Sequence, residues 1–157
     1  MKPLRIFWVG KHRHRFVSDG VAYYQKLLHP LQPVELVEIR DAVHSGRDPQ
    51  SGIEREGEAL LKRIGEGETV VLLDEKGKQF STREWAAMMG RLQTETGSPV
   101  CLIVGGAYGV AEAVKQRSDH IVALSRLTFP HQLARVVLME QLYRMFSLIA
   151  GRAYHHG

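Results

Sequence analysis

Three glycines in five positions end the apolar run Ile103-Val104-Gly105-Gly106-Ala107-Tyr108-Gly109-Val110. A stretch so bare of side chains either makes a tight turn or lets main chain come close to a ligand. A dinucleotide fingerprint needs G-x-G-x-x-G after the first strand and an acid about 20 residues on; here G-G-x-x-G follows the fourth apolar run, with Ser125 and Arg126 where the acid would stand. A phosphate loop needs G-x-x-x-x-G-K-[ST], and Gly77-Lys78-Gln79 lacks both the first glycine and the hydroxyl. A second loop, Ser125 to His131, follows the next apolar run, with a proline at a place helix starts favour. The two loops offer amides and carbonyls, apolar walls from Leu73, Leu127 and Phe129, and no basic cluster for a triphosphate. Such a site suits an uncharged heteroaromatic ring such as adenine, gripped by main-chain groups.

Other reactive side chains are few. Cys101 is the single cysteine, so neither an intrachain disulfide nor a thiol-based metal cage can form, and no metal is expected. Within "PVCLIVG" it reads as a small buried hydrophobe. Twenty-one Lys and Arg against 17 Asp and Glu give a net charge of +4, which admits a polyanionic partner. The charge gathers in "KHRHR" at 11–15 and in Arg152, His155 and His156 near the end.

The elements that must position these groups follow from periodicity. Apolar runs at Leu4–Val9, Val34–Ile39, Val70–Leu73, Val100–Val104 and Ile121–Leu124 read as strands. The last three are continuous, as expected for strands buried on both faces, whereas "VELVEIR" alternates and belongs nearer an edge. Helical spacing appears at Phe16–Leu28, with Phe16, Tyr23, Tyr24, Leu27 and Leu28 as its apolar set, and again at Ile53–Ile64. Ser81-Thr82-Arg83-Glu84 is a capping box before a helix whose Trp85, Met88, Met89 and Leu92 mark a core face. The alternation of strand and helix predicts one α/β domain over 1–157 with a largely parallel sheet, and ligands at the carboxyl ends of its strands. The polar stretch 41–52 reads as a mobile loop. His131 to Ala150 is apolar on nearly every side. A terminal helix of that kind calls for a second copy of the chain to cover it. No run is long enough to span a bilayer, and "MKPLRIFWVG" reads as a strand and not as a secretory signal, so a cytoplasmic protein is expected.

The segments "LLDEKGKQFSTREWA", "LIVGGAYGV", "LSRLTFPHQLARVVLMEQLYR" and "YHH" run through the chain in an order that resembles the large-subunit ribosomal RNA methyltransferase H family of the SPOUT superfamily. The resemblance implies a parallel-sheet fold with a C-terminal trefoil knot, a homodimer, and S-adenosylmethionine-dependent methylation of N3 of a pseudouridine in 23S ribosomal RNA. By matching position it implies cofactor contacts at Leu73, Gly105, Ser125, Arg126, Leu127, Thr128, Phe129 and Pro130, with Arg126 acting through its backbone. The imide proton of N3 must leave, which calls for a base within about 3 Å of it. His131, Glu140 and His155 are the candidates, with His155 preferred because Arg152 and Tyr154 beside it offer a phosphate contact and a stacking ring. Glu140 and Arg144, four apart on the last helix, suit an intrahelical pair or a contact to RNA at a dimer seam. The tail of one subunit is expected to reach the cofactor of the other. With no separate RNA-binding module, a folded surface such as the assembled ribosome is the expected substrate, contacted by "KHRHR" and the 41–52 loop. A non-catalytic ribosome-binding factor and a knotted transfer RNA methyltransferase are the alternatives.

Overall fold

The structure is a computed structural model and describes residues 2–43 and 48–153. Five strands, β1 (Leu4–Val9), β2 (Val34–Ile39), β3 (Thr69–Gln79), β4 (Val100–Val104) and β5 (His120–Ala123), form one parallel sheet in the order β2-β1-β4-β3-β5. The helices between and after them are α1 (Arg15–Leu28), α2 (Pro49–Arg63), α3 (Thr82–Glu95), α4 (Glu112–Arg117) and α5 (His131–Ile149).

Alternation along the strands divides the core in two. Leu4, Ile6 and Trp8 of β1, with Leu102 and Val104 of β4, pack against α1, α3 and α5. Phe7, Val9, Cys101 and Ile103 face the other way, onto Leu60 of α2 and Val114 of α4. β4 is buried throughout, as its continuous apolar run predicts. β2 lies at one edge, in keeping with its alternating sequence. β5 lies at the other edge, contrary to its expected two-sided burial, and its His120 and Ile121 are only half-buried. The buried thiol of Cys101 has its pKa pushed up to about 12 by desolvation, which leaves it chemically quiet.

Several boundaries differ from the sequence reading for local reasons. α2 starts at Pro49 because Asp48 caps it, accepting from the Gln50 amide at 3.1 Å, with proline in the first turn; part of the expected loop is therefore helix. The buried stripe of α1 is Val17, Val21 and Leu28, with Tyr24 packed beside it, while Phe16 and Tyr23 stand exposed. The capping box at Ser81 and Glu84 forms as expected, and Trp85, Met88 and Met89 are core.

β3 is longer than predicted. It pairs with β5 through Leu73↔Val122, leaves the ladder over 74–77, and returns with Lys78↔Val122 and Gln79↔Ala123. Gly77 permits the return, since a Cβ there would lie 2.6 Å from the Val122 carbonyl carbon and 2.7 Å from its nitrogen. α5 also differs from expectation. It lies on the sheet between α1 and α3, so its own chain covers much of the apolar surface that was assigned to a partner. The end of α5 is set by Gly151 at φ 71°, with the Gly151 amide donating to Leu148 O and the Arg152 amide to Ser147 O, a left-handed cap that only glycine adopts easily.

Candidate cofactor cleft

Leu73 sits in register with Val104 on one side and Val122 on the other. The loops after β4 and β5 thus flank the end of β3's first half, although their own strands are not neighbours. Between them opens a cavity of about 350 Å³ at the carboxyl rim of the sheet, where parallel α/β sheets place ligands. Leu73, Leu124, Leu127 and Phe129 give it apolar walls, and Val104 to Ala107 bring main chain to it. His131 and Ala134, three apart at the start of α5, close the back.

Within the glycine loop the small residues first serve the turn itself. The Gly109 amide donates to Gly106 O at 3.1 Å, and Gly109 has φ 85°, a region that side chains disfavour. A Cβ on Gly105 would lie 2.7 Å from Cγ1 of Val110, so packing inside the loop already requires that glycine, beside any ligand. Ser125 shapes the second loop by accepting from the Leu127 amide at 3.0 Å. Leu127 itself is 70% exposed, poised on the lip of the cavity.

Of the eight expected cofactor contacts, Leu73, Gly105, Ser125, Leu127 and Phe129 line the cavity. Arg126, Thr128 and Pro130 are exposed and do not line it; Pro130 instead caps α5, its carbonyl accepting from the Ala134 amide. Sequence reasoning missed Asp74 and Glu75, which also line the cavity. Their signal was available: two carboxylates directly follow the apolar end of a central strand, at the rim where a ligand belongs.

The catalytic candidates separate. His131 lines the cavity and also an adjoining cleft with Arg13, Asp41, Glu56 and Tyr108. Glu140 is not among the lining residues and pairs with Arg144, whose Nε lies 3.0 Å from its Oε1. Arg152 is exposed just past the far end of α5. Tyr154 and His155, with His156, lie outside the described residues.

The adjoining cleft is braced by a buried carboxylate and a surface ion pair. Glu56, only 5% exposed, accepts from the Ala42 amide at 2.9 Å and the Val43 amide at 3.3 Å, tying the chain after β2 to α2. Burial raises its carboxyl pKa, opposed by these two backbone donors, and the nearby Asp41 adds to the rise. Arg13 and Asp41 form an ion pair at 3.2 Å across the rim. Among the described residues no helix is long and apolar enough to cross a membrane, and no group of acidic, His or Cys side chains is arranged to hold a metal ion.

Comparison with known proteins agrees with this arrangement. A family described as "Predicted SPOUT methyltransferase" matches residues 1–155. The chain is 42% identical over 154 residues to a ribosomal RNA large subunit methyltransferase H of Gloeobacter violaceus, covering 98% of this chain and 99% of that one. A protein of the same name from Geobacter sulfurreducens is 39% identical over 153 residues, with 98% and 99% covered. Among solved structures, a probable methyltransferase from Bordetella pertussis shares the fold at 13% identity, with a TM-score of 0.53 over 92% of this chain and 95% of that one. A match of this extent, over a parallel sheet with a cleft at its carboxyl rim, makes the chain a member of the SPOUT methyltransferase family.

Proposed function

We propose that the chain, acting as a single domain over 1–157 in the cytoplasm, methylates N3 of a pseudouridine in 23S ribosomal RNA. The proposed substrate is the assembled ribosome, and the working form is a homodimer. SPOUT methyltransferases use S-adenosylmethionine, and the relatives above are named as large-subunit ribosomal RNA methyltransferases. The observation that carries the reading is the cavity beside Leu73, whose donor set fits this cofactor. Apolar walls and main-chain groups suit adenosine, and no lysine or arginine lines it among the described residues. Asp74 and Glu75 bring negative charge suited to a sulfonium and an ammonium.

S-adenosylmethionine, when bound, supplies the electrophilic methyl group. The protein's part is then to align and to exclude water, because in-line displacement is governed by placement at about 3–3.5 Å. Leu73, Leu124, Leu127 and Phe129 present the apolar surface that a bound cofactor would cover. His131, where cavity and cleft meet, stands to orient the incoming base or hold a proton near it.

The preferred base, His155, is read as coming from a second copy, and chain geometry supports this. α5 has 19 residues and rises about 28 Å from His131 at the cavity to its far end. That end packs near Pro3 and Val100, at the opposite pole of the sheet. From Arg152 the chain to residue 155 reaches about 10 Å at most, well short of its own cleft. Phe16 at 60% and Tyr23 at 61% exposure, two turns apart on α1, offer apolar surface for the partner. The trefoil knot proposed for the C-terminal half rests on membership of the SPOUT family.

The test is incubation with radiolabelled S-adenosylmethionine and, separately, naked 23S RNA, isolated subunits, whole ribosomes and transfer RNA. Label on whole ribosomes at pseudouridine N3 is expected. Label confined to transfer RNA favours the other knotted-enzyme reading. Ribosome binding with no cofactor affinity favours a non-catalytic factor.

A further inference from the structure

Arg135 is completely buried, yet among the described residues no carboxylate lies within ion-pairing distance of it. Its guanidinium instead donates to Gly10 O at 3.0 Å and Val9 O at 2.5 Å, meets His12 Nδ1 at 3.2 Å, and lies 5.1 Å from the Trp8 ring centre. Gln132, three residues earlier on α5 and 6% exposed, grips the same loop from both sides. Its Oε1 accepts from the Arg13 amide at 2.9 Å, and its Nε2 donates to Lys11 O at 3.1 Å.

Burying a cation on carbonyls costs more than an apolar side chain of the same size would, so packing does not account for these two residues. What they do is immobilise the main chain of one short surface loop. That loop carries the basic run 11–15: Lys11 is exposed, and the Arg13 side chain, paired with Asp41 at 3.2 Å, is half exposed beside the cleft that holds His131. The neighbouring stripe of the same helix, His131 and Ala134, lines the cofactor cavity. One pair of helical turns therefore shapes both surfaces.

We infer that Gln132 and Arg135 are positioning residues for RNA: they hold the Gly10–Arg13 main chain so that Lys11 and Arg13 meet the phosphate backbone of the substrate next to the cleft. The inference rests on the proposed action on ribosomal RNA, and a fixed loop spares the ordering cost that a mobile one would incur on binding.

The experiment measures ribosome affinity by co-sedimentation across a range of KCl concentrations, with S-adenosylmethionine present. It compares the full-length protein with Gln132→Met, Lys11→Ala/Arg13→Ala, and the combination. Gln132→Met should weaken affinity about five- to tenfold and make the salt dependence shallower, as when a phosphate contact is lost. In the combined variant the two effects should be non-additive, since Gln132 acts through those cations. Cofactor affinity should stay within about twofold, as a general loss of structure would not allow. Full additivity, unchanged affinity in Gln132→Met, or no salt-dependent binding by the wild type would each overturn the inference. Because binding is read without methyl transfer, a wild type that binds ribosomes but transfers no methyl group would overturn the enzymatic reading alone.

Discussion

His131 and His155 divide the catalytic question, because the first lines the cofactor cavity and the second is read as arriving from a partner. Replacing His155 with Ala should slow methyl transfer by about 100-fold or more, the usual scale for a general base, while cofactor affinity by calorimetry stays as in the wild type. Unchanged turnover would remove His155 from the reaction. His12 carries a different prediction. Burial, and then the Arg135 guanidinium, hold its pKa below the ordinary 6.5, with Glu38 opposing, and the ring nitrogen facing Arg135 at 3.2 Å suits the neutral form. Between the folded value and 6.5 the unfolded chain binds more protons than the folded one. His12 thus contributes stability fully above that pH, and the contribution is lost as pH falls below it. The thermal midpoint should drop from about pH 7 to about pH 5 and drop less in His12→Gln; equal slopes would contradict the assignment.

At the scale of elements, most of the sheet was legible because strand signals depend on local sequence. Val100–Val104 reads as a central strand and is one, and the alternation of Val34–Ile39 marks an edge correctly. Non-local features were not legible. Nothing near Lys78 and Gln79 announces that they return to β5, since the partner strand lies over 40 residues away and Gly77 is conspicuous only against Val122. The α1 stripe was misread because Phe16 and Tyr23 are large and apolar, although Val17, Val21, Tyr24 and Leu28 keep the better helical register. In the site, five of the eight expected contacts reach the cavity, because strand ends and loops are local; Asp74 and Glu75, equally local at the end of an apolar run, were legible but overlooked. Gly77→Ala should destabilise the protein by about 1–3 kcal/mol, the cost of forcing volume into a closed contact. Chemical denaturation checks this, and a wild-type midpoint would mean that β3 does not close over β5 so tightly.

At the scale of the molecule, the cavity and Arg152 lie at opposite ends of α5, so in the proposed composite site one chain would supply the cavity and its partner the tail. The proposed dimer would join them through the exposed Phe16 and Tyr23 of α1. Phe16→Glu combined with Tyr23→Glu should yield monomers in sedimentation velocity and abolish methyl transfer, without unfolding, because both side chains are exposed. An active monomer would refute the composite site. Mixing a subunit truncated after residue 153 with one impaired in its cavity should restore activity in the heterodimer, through its single complete site.

The cavity beside Leu73 is the centre of the account, and calorimetric titration with S-adenosylmethionine tests it most directly. The wild type should bind one cofactor per chain. Leu127→Ala, at a side chain 70% exposed on the cavity lip, should bind about five- to tenfold more weakly with an unchanged thermal midpoint in the absence of cofactor. A wild-type protein that takes up no cofactor, or a Leu127→Ala variant that binds as tightly as the wild type, would contradict it.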